Sequence, residues 1–335
     1  MSTAMWVEEA RKQVNSSEED KFYKKFLDDY KQNEKKREER RKTRGKLSAD
    51  WKPEDLAGMH VLVVGENRVG DEILTAGYLP QFTQRCQQVI WRCNPKLQSL
   101  FRRSFPDIEF VSQGDTEPTV DGTIYSWELI GRFRCDLNHF GWLTNGDFKP
   151  YIHSSQGLKD SLRKRYFDGS RKLVGLAWRS ERDGQTVSDK ICDLRDVPYW
   201  GEFFVCLENK VRFVSLQYGD TQDEIAFARW RYGAEIYQDR RLDIFGDVDA
   251  AAAQIAAMDY VVSISTTTAH LAGAMGVPGW ILLPRKPFAH WRAGEKICPW
   301  YPTLRPVRQK VAGDWQDALK TVTKDLCHEI EKGSR

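Results

Sequence analysis

The segment Met258–Pro284, MDYVVSISTTTAHLAGAMGVPGWILLP, constrains the fold more than any other part of the chain. Tyr260–Ile264 is a β-branched run of strand length. It ends in a hydroxyl cluster, Ser265, Thr266, Thr267 and Thr268. Ala269–Met275 reads as a short apolar helix opening with His270, and Gly276 stands where a helix C-terminal glycine is favoured. Trp280–Leu283 reads as a second buried strand, stopped by Pro284. In an open α/β sheet, ligands sit outside the carboxyl ends of the strands. A helix N-terminus at that edge offers unpaired N–H groups and a partial positive charge. Three threonines and a histidine at such a corner point to an anion, best a phosphate. Simple helix capping would use the same residue types.

Similar units flank this one. His60–Val64 reads as a strand, followed by a loop with glycines at both ends, Gly65–Gly70, and an amphipathic helix over Glu72–Phe82. Further strands are expected at Val89–Cys93, Ile108–Val111 and Gly122–Tyr125, with helices at Pro95–Phe101 and Ser126–Arg132. Phe148–His153 is a Pro- and aromatic-containing connector, and Gly157–Phe167 a basic helix. Lys172–Ala177, Val211–Leu216 and Ala234–Tyr237 read as strands. Asp223–Trp230, an Ala-rich Val248–Met258 and Asp314–Ile330 read as helices, and Arg182–Lys190 as a polar loop. Alternation at this spacing means parallel sheets covered on both faces. With 335 residues, the chain has room for about two domains. The expected class is α/β: two Rossmann-like domains, 51–155 and 156–335, whose strand ends face a cleft, preceded by a charged helical arm, 1–50.

In that arm Phe22, Phe26 and Tyr30 recur at i, i+4, i+8, a narrow apolar stripe on a solvated helix. The stripe is expected to lean on the main body or on a second copy, giving a homodimer. A net charge of +3 permits a phosphate-bearing ligand without announcing nucleic-acid binding. The seven cysteines show no CxxC or zinc spacing and read as reduced core thiols of a cytoplasmic protein. No apolar run approaches the ~20 residues of a membrane span, and no signal-peptide core opens the chain.

Three further strand ends carry chemistry. Gly65-Glu-Asn-Arg-Val-Gly-Asp-Glu is neither GxGxxG nor a P-loop. Its Gly70 lets a ligand approach the backbone, and Asp71 or Glu72 is either a helix-dipole partner or a general base for a hydroxyl. Trp178, Arg179 and Arg182 follow the Lys172–Ala177 strand, with Lys190 further on, and guanidinium forks suit phosphate oxygens. Gln217 and Tyr218 end another strand, where an amide can read a base edge and an aromatic can pack on a ring. Asp247-Val-Asp249 has the spelling of a metal site but reads as a helix start.

Taken together, these pieces resemble a known group. Gly65-Glu with Gly70-Asp-Glu-Ile-Leu, Phe101-Arg-Arg-Ser-Phe-Pro-Asp, Val174-Gly-Leu-Ala-Trp-Arg, Val214-Ser-Leu-Gln-Tyr-Gly, Ile255–Pro278 and Trp300-Tyr-Pro occur in the order seen in bacterial glycosyltransferase domains that follow tetratricopeptide repeats. That group is related to the heptosyltransferases of glycosyltransferase family 9 and has the two-domain GT-B fold. The resemblance covers about Trp51–Leu326. It implies an inverting transfer from a nucleotide-sugar, without a metal or other cofactor, and with the donor in the C-terminal domain. Asp71 maps onto the family's proposed base, and Ser265–His270 onto its phosphate loop. Two departures stand out. Ser265-Thr266-Thr267 replaces the heptosyltransferase Asp-Thr-Gly, which argues against a heptose donor. Arg68-Val69-Gly70-Asp71 replaces Gly-Leu-Gly-Asp. The acceptor is left open between a saccharide, a protein and a DNA base. In the DNA case the basic arm, Arg102-Arg103 and Arg163-Lys164-Arg165 would contact phosphates, as in phage transferases. An inactive GT-B binding module and an epimerase-like enzyme are the other readings.

Overall fold

The computed structural model describes residues 3–13, 16–38, 47, 51–66, 68–112, 115–116, 118–134, 136–182, 185–195, 197, 199–287, 289–292 and 296–333. For residues 13, 16–17, 33–38, 181–182, 185–191, 289, 292 and 333 only the backbone is described. Two helices come first, α1 (Thr3–Gln13) and α2 (Ser16–Glu38). A four-stranded parallel sheet follows, built from β1 (His60–Val64), β2 (Gln88–Arg92), β3 (Glu109–Val111) and β4 (Gly122–Tyr125) in the order β3-β2-β1-β4. Its helices are α3 (Val69–Ala76), α4 (Leu79–Phe82), α5 (Gln98–Ser104), α6 (Glu128–Phe133) and α7 (Gly141–Thr144). The helix expected over 72–82 is thus two: the chain turns at Gly77 and Tyr78, and Pro80 occupies the first turn of α4, where its missing N–H costs nothing.

The second half begins with α8 (Gln156–Tyr166) and β5 (Lys172–Ala177). Next, β6 (Arg179–Arg182) and β7 (Gln185–Ile191) form an antiparallel pair where a polar loop was expected. Then come α9 (Trp200–Leu207), β8 (Val211–Ser215), α10 (Gln222–Tyr232), β9 (Ile236–Tyr237), α11 (Val248–Ala256), β10 (Tyr260–Ile264), α12 (Thr267–Ala274), β11 (Gly279–Leu283), β12 (Leu304–Arg308) and α13 (Gln316–Gly333). Six strands make one parallel sheet, β12-β11-β10-β5-β8-β9. Strand β12 was not anticipated, because Leu-Arg-Pro-Val-Arg carries a proline. It is an edge strand, where a missing ladder donor is tolerated. Buried Val, Ile, Leu and aromatic side chains fill both faces of the central strands β5 and β10, as a helix-covered parallel sheet requires.

The arm packs on its own chain, the first of the two alternatives expected for its stripe, and the buried face is wider than the stripe suggested. Helix α1 covers one face of the large sheet. Its Trp6 meets Trp280 edge-on at 5.3 Å, under the Arg305 guanidinium at 3.9 Å. Arg305 is itself held by Glu9 and Glu329. Helix α2 crosses to the first half. Tyr23, Phe26, Leu27 and Tyr30 are buried, an i, i+3, i+4, i+7 face, while Phe22 lies at its exposed border. Tyr23 Oη donates to the Arg134 carbonyl, and Tyr30 Oη to that of Trp127. Phe26 packs on Trp300 from the β11–β12 connection. The arm therefore straps both halves together. Lys35-Lys36-Arg37 has only its backbone described, and Arg40-Arg41-Lys42 lies outside the described residues.

Candidate functional site

All ten strands of the two large sheets are parallel within their sheet, so each sheet gathers its carboxyl ends along one edge. At that edge of the second half lies a cavity of about 510 Å³, lined by Gln217 and Tyr218 after β8, Gln238–Arg240, Leu242 and Asp243 after β9, and Phe245 and Gln254. A narrower recess shares Tyr218, Ile244 and Gln254 and reaches Thr267 and Thr268 at the start of α12. A donor-sized cleft and a helix N-terminus are therefore contiguous. Thr266 is the N-cap in extended conformation, and its hydroxyl lies 3.3 Å from Ser263 Oγ rather than capping the helix. Ser265, Thr266 and Thr268 are buried, and Thr267 is half-buried.

Several expected ligand contacts are instead internal fasteners. Gln217 lines the cavity, but its Oε1 accepts the Trp178 and Arg179 backbone N–H groups, each at 2.9 Å, and its Nε2 donates to the Tyr218 carbonyl. Both ends of the amide help pin the ends of β5 and β8 together, so Gln217 is a strand clip at the cavity wall, with one of its two Nε2 hydrogens used in the clip. Trp178 is fully buried, with Nε1 donating to Glu224, and does not line the cavity. Arg179 is buried as well. Its Nε donates to Glu224 at 2.9 Å and its Nη2 to the Asp220 carbonyl. Burial pushes the Glu224 carboxyl up, while the Arg179 and Trp178 hydrogen bonds oppose that shift. Tyr218 does face the cavity, stacked on Phe245 at 5.6 Å. Arg182 ends β6 and Lys190 lies in β7, and their side chains are outside the described residues.

Across the seam stands α3. Asp71 is in its first turn, 18% exposed and 4.0 Å from Arg68. Glu72 points the other way. It is fully buried, its Oε2 accepts the Asn94 N–H at 2.9 Å, and its carboxyl fills the space beside Gly65. The second-choice base is therefore bound into the first half, and Asp71 is the carboxylate left at the helix start. Gly70 is where α3 and α12 touch: a β-carbon there would lie 2.8 Å from His270 Cδ2. His270 is buried at this seam, against His290 and Trp291, with Nδ1 2.9 Å from Tyr301 Oη. Gly70→Ala is expected to cost about 1–3 kcal/mol, because the ring is hemmed in and cannot swing aside. An unchanged urea midpoint would contradict the close approach.

Sequence reading did not single out Lys96, Gln238, Phe245 or Gln254. Lys96 follows β2 but reaches the cavity rim of the other half: its Nζ donates to the Phe245 carbonyl at 2.8 Å and lies over the Phe245 ring. Nothing local in the sequence marks that contact. Asp239, just after β9, is a hub for Arg165, Tyr166 and Arg241. Asp247 caps α11, and Asp249 pairs with Arg103 through both oxygens. Among the described residues, no group of three or more His, Cys, Asp or Glu is placed to hold a metal ion.

Two Rossmann-like α/β units with their strand ends at a common seam define the GT-B class of fold. Solved structures with this architecture are similar along most of the chain. The E. coli ADP-heptose LPS heptosyltransferase II superposes with a TM-score of 0.55 at 13% identity, over 83% of this chain and 100% of that one. A family 9 glycosyl transferase from Veillonella parvula DSM 2008 superposes at 0.56 and 10% identity, over 82% and 98%. In sequence, the chain is 28% identical over 301 residues to Protein FlbA of Caulobacter vibrioides, covering 82% of this chain and 48% of that protein. The chain thus spans about half the length of the curated relative it matches. No family model matches it.

Proposed function

We propose that this chain is a glycosyltransferase domain that moves a sugar from a nucleotide-sugar to a hydroxyl acceptor, with inversion and without a metal. The observation that supports this most is the run of the cavity at the β8 and β9 ends into the N-terminus of α12, a helix packed on α3, which carries Asp71. The nucleoside would occupy the cavity beside Tyr218. Thr267, Thr268 and the first N–H groups of α12 would hold the diphosphate, whose departing charge is what a metal-free site must stabilise. Asp71 would take the acceptor proton. Arg179 would act through the β5–β8 edge that it braces rather than on the phosphate. The E. coli heptosyltransferase II that shares the fold is an ADP-heptose enzyme, which makes a nucleoside-diphosphate sugar the class to test first.

A DNA acceptor finds less support. Arg103 is paired with Asp249, Arg163 with Asp259 and Arg165 with Asp239, and Arg102 donates to the Phe110 carbonyl, so these basic residues already have partners within the chain. The test is a thermal-shift screen against UDP-, GDP-, ADP-, dTDP- and CMP-sugars. A ligand at about 100 times its Kd adds about 2.7 kcal/mol of stability. One nucleotide series is expected to raise Tm in EDTA as well as in magnesium. A flat response to every series would sink the proposal.

A further inference from the structure

A second cavity, of about 310 Å³, lies toward the amino ends of β5 and β8. It shares no lining residue with the cavity at the carboxyl ends. Three arginines from three elements meet in it: Arg171 just before β5, Arg212 in β8, and Arg229 in the last turn of α10. Ile225, Ile236 and Tyr237 add apolar surface beside them. The volume is at the low end of the ~300–1,000 Å³ usual for small-molecule sites, so the space suits a small ligand.

Arginines set into a fold ordinarily find a carboxylate, and Arg163, Arg179 and Arg305 each do so here. Arg212 stands in an inner strand between buried Val211 and Phe213 and is itself half-buried. Among the described residues it has no ion pair, and its guanidinium lies 5.3 Å from the centre of the Tyr237 ring. That ring is fixed in turn, by Arg241 Nη2 donating to Tyr237 Oη at 3.1 Å and by Tyr166 packed at 5.4 Å. Arg229 likewise has no ion pair among the described residues. Arg171 donates from Nε to Asp168 at 2.6 Å, one of its five N–H donors. Glu235 also lines the cavity, but it is exposed and bridges none of the three. Two guanidinium forks are therefore left facing a cavity on a fixed aromatic wall. Such forks match phosphate and carboxylate oxygens. A carboxylate brings two oxygens and one charge. A phosphate monoester brings three oxygens and a charge near −2, enough for both forks.

We propose that this cavity binds a small phosphate monoester, with Arg212 and Arg229 on the phosphate oxygens and the carbon skeleton against Tyr237 and Ile225. The site is separate from the nucleotide-sugar cavity, and the inference does not rest on the transferase reading. The experiment is calorimetric titration of the full chain with phenyl phosphate, with benzoate as the carboxylate of the same skeleton. Phenyl phosphate is expected to bind more tightly than benzoate, and less tightly as salt is raised. Arg212→Gln and Arg229→Gln should each weaken it about ten- to hundred-fold, the range for a hydrogen bond to a charged group. Glu235→Gln should tighten it, because a competing negative charge leaves the rim. Thr268→Val, at the start of α12, should leave the Kd as it was. Arg229 and Glu235 are exposed, so their variants decide the matter if Arg212→Gln fails to fold. No saturable binding of phenyl phosphate overturns the proposal, as does a Kd unchanged in the arginine variants. Benzoate binding as tightly overturns the phosphate class. Binding lost in Thr268→Val but kept in Arg229→Gln would move the phosphate to the α12 corner and overturn the second site.

Discussion

Replacing Arg179 with alanine is expected to destabilise the chain by about 3–5 kcal/mol, the range for breaking a buried ion pair from one side. The size follows from what stays behind. Glu224 would keep its place among buried neighbours with only Trp178 Nε1 donating to it, and Asp193 close enough to raise its pKa further. The Asp220 carbonyl would also lose its 2.7 Å hydrogen bond from Nη2. Equilibrium urea unfolding of the variant measures the loss directly. Replacing both partners with apolar residues, Arg179→Met with Glu224→Leu, is expected to recover part of it, because no charge is then stranded. The opposite pattern, with stability nearly unchanged and nucleotide binding lost, would make Arg179 a phosphate ligand after all.

For Asp71→Asn the expected result is catalytic. Turnover should fall about 10²–10⁴-fold, the usual contribution of a positioned general base, while the Kd for the donor stays as it was. The amide keeps the size and the polarity of the first turn of α3 but cannot accept a proton. Glu72→Gln should behave in the reverse way. Its carboxylate is buried and hydrogen-bonded to the Asn94 N–H, so the substitution acts on stability, by about 1–3 kcal/mol. The pair of variants separates the two carboxylates by readout. Equal losses of turnover at unchanged stability would contradict the division of roles made here.

Much of the architecture can be read from local pattern. Strands β1, β4, β5 and β10 coincide with runs whose burial on both faces leaves few alternatives at that length. The Ser265–Thr268 cluster stands at a strand end, as its place in the sequence requires. The misreadings have physical causes. Arg182–Lys190 carries no apolar face from which a hairpin could be inferred, and β12 hides behind Pro306. The α2 stripe was visible, but its width and its target were not. Those depend on Phe140 and Trp300, which lie far along the chain.

The sequence by itself determined that parallel α/β units would gather hydroxyls, amides and charges along one edge, because periodicity and strand-end chemistry are local. Only the tertiary structure decided which of those groups are offered to a ligand. Gln217 clips strands 39 residues away, Arg179 neutralises Glu224, Glu72 turns inward, and His270 meets Gly70 and Tyr301 at the seam. Such pairings depend on which strands and helices become neighbours. A buried polar group must find its partner there, however far along the chain that partner lies.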